Sequence, residues 1–390
     1  MEIDRIHFYL ENAASWRDWF IERMGFQRAN ATTTDDTHTE IIVNGGACFL
    51  LWESLNAASP VAEYLKFHPP GVADVGFRVK DLDSVLNKVA AAGGKVLEPV
   101  REKRRATGSI KQAKIAGWGS LTHTLVEEIE QEPRSEKPGF STPSQKPGFL
   151  EKPGFSMDEK PGFLMDEKPG FSMDEKPGFL TEDFIGIDHA VLNVAAGDLE
   201  LALTFYEQTL GFRREQKFKI QTGRSGLYSQ VLIHPDGKAQ LPVNEPTSAN
   251  SQIQEFLDAN RGAGIQHLAI KTRNIIKIVR RMRQNGASFL SVPSTYYELL
   301  LQRRKDEFNS ILSAEEWREI IDLQILVDWQ EDRFNALLLQ IFTQPIFGEP
   351  TFFFEIIERR EQARGFGEGN FLALFEAVER EQMKRGASQF

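Results

Sequence analysis

The sequence predicts an α+β chain of four βαβββ-type modules, paired two and two into domains on either side of a low-complexity linker. Two internal alignments between the halves predict the modules, and a short repeat predicts the linker.

The first alignment sets IDRIHFYLENAASWRDWFIERMGF (Ile3–Phe26) against IDHAVLNVAAGDLELALTFYEQTLGF (Ile187–Phe212), with two residues gapped. Both read as an alternating strand, a turn, an amphipathic helix and a Gly-Phe stop. The second sets GVADVGFRVKDLDSVLNKVAAAGGKVLEPV (Gly71–Val100) against GIQHLAIKTRNIIKIVRRMRQNGASFLSVP (Gly264–Pro293) without gaps. It reads as strand, helix, glycine, strand. Paired units of this kind close curved sheets around a cavity. The last unit carries an insertion at about 294–325 that includes SAEEWREIIDLQIL.

Between the halves, KPGF begins at Lys137, Lys146, Lys152, Lys160, Lys168 and Lys176, the last four copies eight residues apart. Each copy joins a Pro-Gly breaker to one Phe, too little to stack into a core. Residues 131–182 are therefore expected to be a disordered linker. It would separate an N-terminal domain (1–130) from a C-terminal one (183–390) that ends in a lid helix.

A formal net charge of -10 leaves no basic surplus for a nucleic-acid backbone. Cys48 is the only cysteine, which excludes an intrachain disulfide and a thiolate-rich metal site. No apolar run approaches the roughly 20 residues of a membrane span. The N-terminus MEIDRIHFYLENAASW has no apolar signal region. A cytoplasmic location is expected.

In register, the first strands of the third and fourth modules place His189 and His267 where the first and second have Arg5 and Asp74. The last strand, PTFFFEIIERR, places Glu355 where the N-terminal half has Thr124. Two neutral imidazoles and one carboxylate make the facial set that suits iron(II) and leaves positions open for a chelating 2-oxo acid and O2. An ionised Glu355 in so apolar a strand needs a cation or a hydrogen-bonding partner, and a structural arginine would also serve. Arg5 and Asp74 are expected to pair across the lost site.

At these residues a resemblance emerges. DHAVLNV (188–194), LPVNEP (241–246), SQIQEFL (251–257), GAGIQHLAIKT (262–272), PSTYYELL (293–300), LLLQIFTQP (337–345), FFEIIERR (353–360) and GFGEGNFLALFEAVE (365–379) follow in order. Together they resemble the 4-hydroxyphenylpyruvate dioxygenases, members of the vicinal-oxygen-chelate superfold. The match runs through nearly all of 184–390 and is weaker over 1–130. It implies an open C-terminal barrel around Fe2+ held by His189, His267 and Glu355, and a metal-free N-terminal domain. It implies oxidative decarboxylation, ring hydroxylation and side-chain migration of 4-hydroxyphenylpyruvate, giving homogentisate and CO2. It also implies a homo-oligomer that serves tyrosine breakdown or quinone supply.

The resemblance further implies substrate contacts from Ser229, Asn244, Gln252, Gln266, Gln340, Phe342, Phe353, Asn370 and Phe371. Strand alternation supports Phe353 beside Glu355 and Gln340 beside Phe342. The same alternation turns Gln266 away from its neighbour His267. Phe371, Leu374, Phe375 and Val378 fall on one helix face, read as a lid hinged at Gly365, Gly367 and Gly369. His7, His38, His68, His123 and His234 lack matching carboxylates and read as structural.

Two departures touch no ligand. Thr272-Arg273-Asn274-Ile275 stands where the family has Thr-x-Asp-Ile, and DRFNALLLQIFT lacks a usual glycine. Hydroxymandelate synthase shares the fold and the triad, and only pocket shape separates it. A non-catalytic binder of the same fold would need no triad. A glyoxalase-like isomerase would need a further protein ligand, and none is evident in the last strand of the third module.

Overall fold

A computed structural model of the chain describes residues 1–105, 108–130, 183–222, 225–330 and 333–367, and part of the stretch 369–383. The expected linker, 131–182, lies outside the described residues, as do Leu374 and Phe375 of the expected lid face.

The N-terminal sheet comprises β1 (Glu2–Leu10), β2 (Gln27–Thr33), β3 (Thr37–Asn44), β4 (Ala47–Ser54), β5 (Gly71–Arg78), β6 (Val96–Arg105), β7 (Gly108–Ala116) and β8 (Thr122–Glu130). The C-terminal sheet comprises β9 (Phe184–Asn193), β10 (Arg213–Gln221), β11 (Gly226–Ile233), β12 (Gln240–Pro246), β13 (Gly264–Thr272), β14 (Leu326–Gln330), β15 (Arg333–Phe342) and β16 (Phe353–Arg359). Their orders, β2-β3-β4-β1-β5-β8-β7-β6 and β10-β11-β12-β9-β13-β16-β15-β14, are the same path walked twice. Each is a curled half-barrel of two βαβββ modules.

The module helices are α1 (Ala13–Met24), α3 (Leu82–Ala91), α4 (Leu199–Leu210) and α6 (Ile275–Gln284), with α2 (Pro60–Phe67) and α5 (Gln252–Asn260) joining the modules within each half. The insertion in the last module folds mainly as two helices, α7 (Ser294–Ile311) and α8 (Ala314–Asp322). Among the described residues no helix is long and apolar enough to cross a membrane.

Local chemistry sets the helix ends. Gly25 and Gly211 close α1 and α4 in the left-handed region, at φ 72° and 74°. The next residues, Phe26 and Phe212, turn into the core. Asn274 caps α6 by accepting a bond from Lys277 N at 2.9 Å. Asp81 does the same for Ser84 N at 2.8 Å in α3, so the departure from the family's aspartate keeps the cap. The carboxylate on the last strand of the third module, Glu245 on β12, is not a further ligand. It accepts from Gly197 N (2.9 Å) and Leu199 N (3.3 Å) at the start of α4, which makes it a capping group.

Seven of the 29 phenylalanines build the seam between the halves. Phe8, Phe20, Phe26 and Phe49 meet Phe184, Phe352 and Phe354 in one buried cluster. Phe8 and Phe352 are edge-on at 5.3 Å, and Phe49 stacks on Phe354 at 5.8 Å and 17°. Aromatic pairs of this geometry add about 0.5–1.5 kcal/mol each beyond burial. Gly46 lets the β3–β4 turn rest on β9, for a Cβ there would lie 1.9 Å from the Ile185 carbonyl oxygen. His68 Nδ1 lies 2.8 Å from the Asn260 carbonyl and His123 Nε2 3.1 Å from the Tyr206 hydroxyl, so both join the halves.

Where the N-terminal half matches the C-terminal ligand positions, Arg5 and Asp74 do not pair. Arg5 donates to Asp4 at 2.5 Å. Asp74, fully buried, accepts from Thr122 Oγ1 (2.6 Å), Thr124 N (3.0 Å) and Thr124 Oγ1 (3.0 Å). Local threonine donors satisfy the carboxylate, so it has no need of the guanidinium.

Candidate metal centre

β9, β13 and β16 lie side by side at the centre of the C-terminal sheet, β9 antiparallel to β13 and β13 parallel to β16. Each supplies one residue of a buried group, His189, His267 and Glu355, whose ligand-type atoms lie within 4.8 Å of one another. His189 Nε2 is 3.2 Å and His267 Nε2 3.7 Å from Glu355 Oε2.

Two bulges aim this group. Opposite β13, β9 carries one extra residue, Asp188, between Ile187 and His189. Opposite β9, β13 carries one extra residue, Gln266, between Ile265 and His267. A bulge breaks the two-residue alternation and turns neighbours to one side. Gln266 therefore lines the same cavity as His267, which strict alternation denied. The register shifts recur at Asp4 on β1 and Ala73 on β5, the aligned positions of the N-terminal half. The bulges are thus part of the repeated module, whether or not histidines follow them.

The far sides of two of the three donors are held by hydrogen bonds. Asp188 Oδ1 lies 2.9 Å from His189 Nδ1, which leaves Nε2 facing Glu355. Gln340 Nε2 donates to Glu355 Oε1 at 2.8 Å, which leaves Oε2 facing both imidazoles. His267 stacks on Phe353 at 4.8 Å and 18°, and its buried Nδ1 has no hydrogen-bond partner among the described residues. Arg359 clamps Asp188 through Nε at 2.8 Å and Nη2 at 2.7 Å. The arginine that a buried carboxylate could require is therefore spent on Asp188, and Glu355 is left to the imidazoles and Gln340.

The electrostatics follow. Burial opposes charge on His189, yet the Glu355 and Asp188 carboxylates outweigh it and push the imidazole up to about 9. His267 is held well below its usual value by burial and then by His189. Burial also opposes the Asp188 carboxylate, but Arg359 holds it far below the usual range. Two imidazole nitrogens and one carboxylate oxygen, converging with His189 and Glu355 already held from behind by hydrogen bonds and His267 by stacking, fit a divalent metal.

The group forms the floor of a cavity walled mainly by apolar side chains. Ser229, Asn244, Gln252, Gln266, Gln340, Phe342, Phe353, Asn370 and Phe371 all line it. Ser229 and Asn244 are cross-strand neighbours on β11 and β12. Three of these amides are already engaged by protein, Asn244 Nδ2 donating to Asn193 Oδ1 at 3.2 Å. Gln340 Nε2 also donates to the Phe366 carbonyl at 3.0 Å, and Gln340 Oε1 accepts from Asn370 Nδ2 at 2.9 Å. Asn370 Oδ1 accepts from Tyr296 OH at 2.7 Å. Phe371 meets Phe218 edge-on at 4.9 Å, bringing the C-terminal helix against β10.

The sequence reading missed Asp188, Arg359, Tyr296, Phe218 and Phe366. Asp188 carried a readable signal, as a charged residue beside His189 in an apolar strand, whereas Arg359 lies four positions past Glu355 in the charged run at the end of β16. Tyr296 and Phe218 carried none, because only the fold brings Tyr296 to Asn370 and Phe218 to the cavity.

Two half-barrels of βαβββ modules with a buried His-His-Glu floor define the class of protein. Residues 186–309 match the model of the Glyoxalase/Bleomycin resistance protein/Dioxygenase superfamily. Within that class, the 4-hydroxyphenylpyruvate dioxygenase of Yarrowia lipolytica is 34% identical over 98% of this chain and 92% of its own length. That of Caenorhabditis briggsae is likewise 34% identical, over 98% and 92%. A variant of 4-hydroxymandelate synthase from Streptomyces coelicolor shares the fold, with a TM-score of 0.77 at 24% identity over 98% of each chain. The chain belongs to the 4-hydroxyphenylpyruvate dioxygenase family.

Proposed function

We propose that this chain is an iron(II)-dependent dioxygenase that converts 4-hydroxyphenylpyruvate and O2 to homogentisate and CO2, with His189, His267 and Glu355 as the metal ligands. The observation that carries the reading is the convergence of His189 Nε2, His267 Nε2 and Glu355 Oε2 on the floor of an aromatic and amide-lined cavity.

Iron(II), when bound there, supplies the chelation of the 2-oxo acid and the activation of O2. The chain's own residues bind, orient and exclude water. No Lys or Arg lines the cavity among its described residues, so an anionic substrate finds its counter-charge at the floor. Phe353 and Phe342 flank His267, at 4.8 and 6.2 Å between ring centroids, and offer an apolar wall for the substrate ring. Ser229, Asn244, Gln252 and Gln266 supply polar groups that can hold a phenol or a carboxylate. Gln340 and Asn370 have another task here, since their amides hold Glu355 and the C-terminal segment in place. The Phe371–Phe218 contact places two rings where the C-terminal helix meets the barrel, which suits exclusion of water during oxidation.

Product analysis with purified protein, iron(II), 4-hydroxyphenylpyruvate and O2 tests the reading, with His267→Ala as control. Homogentisate from the wild type alone supports it. Formation of 4-hydroxymandelate keeps the metal centre and overturns ring hydroxylation. Metal uptake without O2 consumption overturns the assigned substrate.

A further inference from the structure

Two hydrogen-bond chains leave the His-His-Glu group, and both end on the segment that leads into the C-terminal helix. In one, Asp188 holds His189 Nδ1 and is itself gripped by Arg359 Nε and Nη2. The third guanidinium nitrogen, Nη1, donates to the Gly365 carbonyl at 2.8 Å and the Ala363 carbonyl at 3.2 Å. In the other, Gln340 joins Glu355 to the Phe366 carbonyl and to Asn370. Gly365 and Gly367 adopt φ 80° and 79°, which only glycine takes readily, and Phe366 between them lies edge-on to His189 at 5.2 Å.

We infer that Arg359 is a positioning residue that couples the metal ligand His189 to the seating of residues 363–371 over the cavity. This rests on the reading of His189, His267 and Glu355 as metal ligands. Arg359 suits the task because its planar fork presents donors in two directions at once. Nε and Nη2 fix the carboxylate that orients His189, while Nη1 fixes two carbonyls at the base of the segment. A lysine has the same charge but a single point of donation, so it can serve one side and not both. Occupancy of the metal site and docking of the segment then stabilise each other, and linkage makes that coupling reciprocal.

The test uses the full chain with Co2+ as probe. Affinity is read by competition with a chromophoric chelator, the ligand field by the visible bands, and docking by hydrogen exchange of the 363–371 amides with and without Co2+. Arg359→Lys is expected to keep the wild-type fold and weaken Co2+ binding by about 10–100-fold, the usual cost of losing an outer-shell partner. Its visible bands should shift, and the protection that Co2+ confers on 363–371 should disappear. Asp188→Asn, which leaves Arg359 in place, should weaken Co2+ similarly and lose the same protection. Wild-type affinity and metal-dependent protection in Arg359→Lys would overturn the coupling and leave the metal reading intact. A wild type that takes up no Co2+, indistinguishable from His267→Ala, would overturn both.

Discussion

Replacing Phe354 by alanine should destabilise both halves of the molecule together. The ring is fully buried on β16 and lies 4.9 Å from Phe352, 5.8 Å from Phe49, 5.9 Å from Phe20 and 6.4 Å from Phe8. Three of these four partners belong to the N-terminal half. Removing a buried Phe to alanine costs about 3–5 kcal/mol, because the cavity left behind collapses only partly. The upper part of that range is expected here, since lost ring–ring geometry adds about 0.5–1.5 kcal/mol per pair. Native-state hydrogen exchange is the assay, following the most protected amides of β1 and α1 in one half and β13 and β16 in the other. Both sets should lose about 4 kcal/mol of protection. A loss confined to β13 and β16, with β1 and α1 at wild-type protection, would show that the halves fold independently and refute the seam as a shared core.

Three further outcomes are expected. His7 is buried against Trp52, and desolvation pushes its imidazole down to about 4, with Lys114 and Arg5 adding to this and Asp74 and Asp4 opposing it. The unfolded chain takes up that proton near pH 6.5, so stability should fall by about 3 kcal/mol as pH drops from 6.5 to 4. His7→Phe should remove that share of the slope in urea unfolding at the two pH values, and an unchanged slope would contradict it. At Gly367 a Cβ would lie 1.9 Å from Gln340 Oε1, whereas at Gly348, with φ 81°, it would meet nothing within 4 Å. Gly367→Ala and Gly348→Ala should each lose about 1–2 kcal/mol of stability from the left-handed backbone. Only Gly367→Ala should also slow turnover, by roughly tenfold, and equal rates would refute the role of the Gln340 contact. Finally, Asp74→Asn should destabilise the protein yet leave one metal per chain by elemental analysis, and a lower metal content would place a ligand in the N-terminal half.

Much of the site was legible in the chain. The three donors could be read because the halves are duplicated: once in register, His189, His267 and Glu355 stand against Arg5, Asp74 and Thr124. The helix ends were legible too, since Gly25 and Gly211 act through their own backbone freedom and need no distant partner. Alternation alone misplaced Gln266, which the resemblance had put in the pocket, because it assumes a regular strand, and a bulge depends on the register of the neighbouring strand. The pairing expected between Arg5 and Asp74 failed for a similar reason. Complementary charge in the sequence does not reveal that Thr122 and Thr124 are nearer donors.

What the sequence determined by itself, then, is whatever is periodic or repeated: the modules, their strand and helix order, and the ligand types at matching positions. Tertiary structure alone decided which buried groups satisfy one another. The guanidinium of Arg359 reaches Asp188 across 171 positions of chain, and Tyr296 from the inserted α7 reaches Asn370. Contacts of that range leave no local pattern, because a buried donor takes whichever acceptor the packed strands bring within about 3 Å.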